Sequence, residues 1–156
     1  MENFKIEINF LSDIVIYNSQ NIELYRLKRK IGFMNIKGEI YSNNKLLFSY
    51  KLNKFFCHVK FTTMYNFYSD VFFVKQTFCN LSLMFSNNIF ITNFATIPYI
   101  SKYGKLYLNK TKIGEMNNPS FGWPVYINFS IDSNYQKYFN FFLIFILIRL
   151  TNTDSQ

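Results

Sequence analysis

Phe139-Asn140-Phe141-Phe142-Leu143-Ile144-Phe145-Ile146-Leu147-Ile148-Arg149-Leu150 is apolar at every position but two. It has no alternating polar face. A helix that is apolar all round must be enclosed by protein or lipid. The uninterrupted run, Phe141 to Ile148, is 8 residues long, whereas a membrane-spanning helix needs about 20. Enclosure by protein is therefore the expectation, with no transmembrane segment. Ser133-Asn134-Tyr135-Gln136 just upstream fits a capping box, with Ser133 as cap and Gln136 three residues on. Arg149 falls in the last turn, where the helix dipole favours a cation. A helix from Tyr135 to Leu150 would be about 24 Å long, the length of a small barrel's axis.

Everything before this segment has period two. Phe4, Ile6, Ile8 and Phe10 alternate with Lys5, Glu7 and Asn9, the pattern of a half-buried strand. Similar sets follow: Ile14 to Tyr17; Ile22, Leu24 and Leu27; Ile36 to Tyr41; Leu46, Phe48, Tyr50 and Leu52; and Phe55, Cys57, Val59 and Phe61. Val71 to Phe78, Leu81 to Phe85, Ile89 to Phe94, Leu106 with Leu108, and Val125 to Ile131 complete the series. Turn signals separate them, among them Asn43-Asn44, Ser86-Asn87-Asn88 and Asn109-Lys110, and Asn44 can take the positive φ that tight hairpins require. The chain thus reads as mainly β with one helix. The predicted fold is a closed antiparallel β-barrel of about 10–12 short strands wrapped around a buried hydrophobic C-terminal α-helix. Residues 1–150 form one domain in this reading, with the central helix at 134–150 and a polar tail at 151–156. Asn117 to Pro124 reads as a long loop that Trp123 pins to the core.

The hairpin Tyr103-Gly104-Lys105-Leu106-Tyr107-Leu108-Asn109-Lys110-Thr111-Lys112-Ile113-Gly114-Glu115, then Val125 to Ile131, then Tyr138 to Leu150, resembles the tubby C-terminal-like superfamily, which includes bacterial tubby-like domains and phospholipid scramblases. Ile113-Gly114-Glu115 looks like the family's recurrent strand motif. The resemblance implies a closed barrel around a C-terminal helix, and association with phosphoinositides or membranes. It carries no individual binding residue across by position.

Composition narrows the chemistry. The 156 residues include 20 Phe, 12 Tyr, 20 Asn, 18 Ile and 14 Lys, but only 3 Arg and one Ala, Ala95. These are the residues that A/T-rich codons favour, so no single Phe or Lys is informative. The net charge of +8 suits an acidic partner. Cys57 and Cys79 lie in apolar runs and read as buried reduced thiols. Met1 to Phe10 alternates and contains Glu2 and Glu7, unlike a secretory signal, so a cytoplasmic location, peripheral at the membrane, is expected.

A catalytic site is not legible. His58 is the sole histidine, and on a strand it points away from its neighbour Cys57. Two cysteines and one histidine lack paired zinc spacing. Asp13, Asp70, Asp132 and Asp154 are isolated, and the glycines form no phosphate loop. The reading is non-catalytic, with no catalytic residue, metal or cofactor. The candidate for binding an anionic ligand is Arg26, Lys28, Arg29 and Lys30, which holds two of the three arginines. Arginine offers a planar fork suited to phosphate. Lys102, Lys105, Lys110 and Lys112 would extend the patch if the fold brought them near. The competing account of the four cations is a solvated hairpin end.

The leading expectation is a monomeric binding module for anionic membrane lipid or for a protein at the membrane surface. The alternatives are a structural or protein-interaction domain without a lipid ligand, and a single-stranded nucleic-acid binder. Nucleic acid is disfavoured because no motif of that class is present and the aromatics mostly occupy core-facing positions.

Overall fold

The computed structural model describes residues 1–55, 58–69, 71–77, 80–94 and 104–153. The strands are β1 (Glu2–Ile8), β2 (Ile14–Asn18), β3 (Glu23–Ile31), β4 (Asn35–Ser42), β5 (Lys45–Phe55) and β6 (His58–Asn66). They continue with β7 (Phe72–Thr77), β8 (Asn80–Phe85), β9 (Asn88–Phe94), β10 (Gly104–Leu108), β11 (Thr111–Met116) and β12 (Val125–Ile131). A 3-10 segment, Ser133–Tyr138, leads into α1 (Phe139–Thr153).

All pairings are antiparallel, and one 12-stranded sheet results, in the order β6-β5-β4-β3-β2-β1-β12-β11-β10-β9-β8-β7. Each strand follows its chain neighbour except where β1 pairs with β12, from Glu2 opposite Ile131 to Ile8 opposite Val125. The two ends of the sheet, β6 and β7, then face each other across a seam. Two side-chain amides stitch it. The Gln76 Oε1 accepts the Phe61 N–H at 2.8 Å, and its Nε2 donates to the Val59 carbonyl. The Asn66 Nδ2 donates to the Phe72 carbonyl at 2.8 Å. Side-chain amides there do the work of the ladder bonds, so the barrel is nearly closed.

Side chains alone just fill an eight-stranded barrel, so twelve strands leave an axial space. The helix fills it. Phe142 to Ile148 are all buried, and α1 meets strands around the wall: Phe139 packs on Phe4 of β1, Phe141 on Phe72 of β7, and Phe142 stacks 4.3 Å from Phe90 of β9. The Tyr25 hydroxyl of β3 donates to Asn140 Oδ1 at 2.7 Å. Gly38 makes room on the inner wall, because a Cβ there would lie 2.4 Å from the Tyr50 ring.

Sequence and structure differ at both ends of the helix. The Asp132 carboxylate, not Ser133, accepts the capping bond from the Asn134 N–H at 3.0 Å. At the other end α1 runs on to Thr153, because Thr151 is buried and bonded rather than part of a tail. Phe55 ends β5, where it is exposed, instead of opening β6. In β3 the inward residues are Tyr25 and Leu27, while Ile22 lies outside the strand and is exposed. A bulge between Ile16 and Tyr17 resets the register there.

The two barrel ends differ. At one end are the two-residue turns Asn43-Asn44, Ser86-Asn87 and Asn109-Lys110, all with positive φ, as the strand twist of such hairpins requires. At the other end the loops 9–13, 32–34 and 117–124 surround the C-terminus of α1.

Candidate functional site: a lysine row on the outer wall

β3 carries the whole basic run, and strand alternation divides it. Arg26 is already engaged: its Nη1 lies 2.7 Å from Asp13 Oδ2 and its Nη2 2.7 Å from Glu23 Oε2. These hydrogen bonds to Glu23 and Asp13 push its pKa further upward. Arg29 turns inward. It stands in one inner row with Gly38 and Tyr50, and its guanidinium donates to the carbonyls of Ser12 at 2.7 Å and Asn9 at 2.8 Å. It therefore clamps the β1–β2 loop. Lys28 and Lys30 face outward, with the Lys28 ammonium 5.0 Å from the Tyr41 ring centre. The four cations proposed from sequence thus do not form one cluster. Arg26, Lys28 and Lys30 share the outer face, where Arg26 is held in ion pairs, and Arg29 alone turns inward.

The outer wall supplies other lysines instead. Lys30 lies directly opposite Lys37, and Lys37 directly opposite Lys51, so β3, β4 and β5 present three ammonium groups in one row. Lys60 of β6 pairs with Asn53, two positions along β5 from Lys51, and extends the row diagonally. Facing side chains in such pairs have Cβ atoms about 5 Å apart, and like charges so placed are destabilising. Lysine is common on edge strands as protection against aggregation, which accounts for Lys60 beside the seam. It does not account for Lys30, Lys37 and Lys51, whose strands are paired on both sides. Lys37, Lys51 and Lys60 lie far from Lys30 in the chain, and only strand register brings them together.

Of the more distant lysines, Lys105 and Lys112 lie on β10 and β11 and Lys110 in the turn between them, separated from β3, β4 and β5 around the sheet by β2, β1 and β12. Lys112 is bonded to Glu115 at 2.7 Å. They do not join the row. Lys102 lies outside the described residues.

Among the described residues no group of three or more His, Cys, Asp or Glu side chains is placed to hold a metal. His58 opens β6; its side chain, and both Cys57 and Cys79, lie outside the described residues. No helix among the described residues is long and apolar enough to cross a membrane. Trp123 does not anchor its loop in the core. It is exposed and meets Phe10 edge-on at 5.2 Å, so it joins one loop to another.

Comparison with protein-family models, with curated proteins and with solved structures gives no match.

Proposed function

We propose that this chain is a non-catalytic, tubby-like binding module that docks on anionic lipid at a membrane surface. The Lys30–Lys37–Lys51 row carries the reading. A like-charge row on paired strands costs stability, and an anionic surface repays that cost at about 1 kcal/mol per lysine near the bilayer. No acidic side chain forms a described ion pair with any of the three. Glu39, two residues from Lys37 on the same face of β4, stands opposite Lys28 and accepts a hydrogen bond from the Tyr41 hydroxyl at 2.7 Å. A barrel around a C-terminal helix is also what the resemblance to the tubby C-terminal-like superfamily implies, and the architecture supports it.

The test is flotation with phosphatidylcholine vesicles, with and without phosphatidylserine, at low and high salt. Binding is expected only with the anionic lipid and is lost with salt. Reversing all three charges, in Lys30→Glu, Lys37→Glu and Lys51→Glu together, should weaken partition by about a hundredfold or more. Lys105→Glu with Lys110→Glu, across the barrel, should change it little. Equal binding to neutral vesicles, or equal loss in the two sets of variants, would rule the reading out.

A further inference from the structure

The loop end of the barrel beside the lysine row is apolar at its tips. Phe33 is 100% exposed, Phe121 87%, Phe10 63%, Leu11 60% and Trp123 59%, and Met34 completes the group. These residues sit on three separate loops that topology gathers at one end. Aromatic side chains held in water cost free energy, and several exposed large apolar side chains gathered at one end mark an interaction surface. A cleft of about 430 Å³ at this end is lined by Phe10, Leu11, Arg29, Ile31, Ile36, Trp123 and Thr151. Leu11 is held at φ 52, a region costly for a side chain of this kind, and the Arg29 clamp on both sides of it fixes that geometry.

Position relative to the lysines decides what the tips contact. Lys30 stands three residues before Phe33, and Lys37 three after Met34. At strand rise the ammonium row is therefore roughly 7–10 Å behind the apolar tips. That offset matches the depth, about 5–10 Å, to which interfacial apolar groups enter the boundary between headgroups and acyl chains. Tips at that depth place the lysines level with the phosphates. Tryptophan at the boundary suits its amphipathic ring.

We propose that the barrel docks end-on, with Phe10-Leu11, Phe33-Met34 and Phe121 to Trp123 inserted into the bilayer interface and the lysine row against the anionic headgroups. This rests on the reading of the row as a membrane-facing surface, and adds to it an orientation and an inserted edge.

Trp123 is the single tryptophan, so its emission reports the inserted end directly. On vesicles containing phosphatidylserine the emission should shift to the blue, and phosphatidylcholine brominated near the carbonyl end of its chains should quench it. Phe33→Ser should lower vesicle partition by about tenfold with unchanged thermal unfolding, since that side chain is fully exposed. Flotation with anionic vesicles but with unshifted, unquenched Trp123 emission would overturn the end-on insertion and leave the lysine face standing. Failure to float at all would overturn both.

Discussion

The Tyr50 hydroxyl donates to the Thr151 hydroxyl at 2.7 Å, and Thr151 donates onward to the Leu147 carbonyl at 3.2 Å. Tyr50 and Thr151 are both buried, so this short chain of bonds ties the barrel wall to the last turn of its axial helix. The two ends of the bond are not equivalent. Tyr50→Phe leaves Thr151 bonded to Leu147 and should cost about 1 kcal/mol. Thr151→Val strands the Tyr50 hydroxyl in the core and should cost more, about 1–3 kcal/mol. Urea unfolding of the two variants checks the order, and equal, negligible losses would show that the bond contributes nothing.

The same tyrosine makes stability sensitive to alkali. Burial raises the pKa of Tyr50 strongly, against smaller lowering effects of the Thr151 bond and the Arg29 charge, and burial likewise raises Tyr25. In the unfolded chain both titrate near 10. Above that pH the unfolded state releases protons that the folded state keeps, so the stabilisation, fully present below pH 10, falls as pH rises towards the folded values. Each tyrosine should contribute a decline of about 1.4 kcal/mol per pH unit. Denaturation midpoints measured between neutral pH and pH 11 should therefore drop, and Tyr50→Phe should drop less steeply. Parallel curves for variant and parent would contradict the assignment.

The fold was legible because its two signals are long and opposite in period. Phe4, Ile6 and Ile8 point inward as their alternation predicts, and the apolar run Phe142 to Ile148 is buried on all sides. The hairpin asparagines Asn43 and Asn44 adopt the positive φ that their chemistry permits. The lysine row proposed as a binding face was only half legible. Lys30 could be singled out as part of a charge run, but Lys37 and Lys51 are isolated in sequence, and only their pairing reveals the row. Arg29 misled in the opposite sense. A bulge at Ile16 and Tyr17 sets the phase of β3, and neighbouring charges in a strand then point to opposite faces. The seam was invisible too, because nothing in a sequence marks Gln76 as a substitute for a strand.

Gln76 should be hard to replace. Its amide both accepts from the Phe61 N–H and donates to the Val59 carbonyl, a pairing that needs one oxygen and one N–H₂ group. Gln76→Glu keeps the acceptor but sets a carboxylate against the Val59 carbonyl. It should therefore be at least as destabilising as Gln76→Ala, in which both bonds vanish at a cost of about 2 kcal/mol. Hydrogen exchange localises the effect: the Phe61 amide should lose protection in both variants while β1 and β12 keep theirs. Uniform loss across the barrel, or none at Phe61, would mean that the seam is held elsewhere.

Arg29 and Lys30 are adjacent in sequence and point to opposite faces of β3, so substitution can separate their effects. Arg29→Ala removes two charge-assisted bonds from the β1–β2 loop and should cost about 2 kcal/mol of stability. It takes no charge from the outer wall, so the salt dependence of vesicle binding should persist. Lys30→Ala touches no described partner and should leave stability within about 0.5 kcal/mol. It removes one member of the row, so partition onto anionic vesicles should fall about fivefold and respond less steeply to salt. Thermal unfolding and vesicle titration at several salt concentrations, run on both variants, measure the two quantities independently. If Arg29→Ala flattened the salt response while Lys30→Ala left it intact, the guanidinium rather than the lysine row would face the anionic surface, and the outer wall would no longer be the binding face.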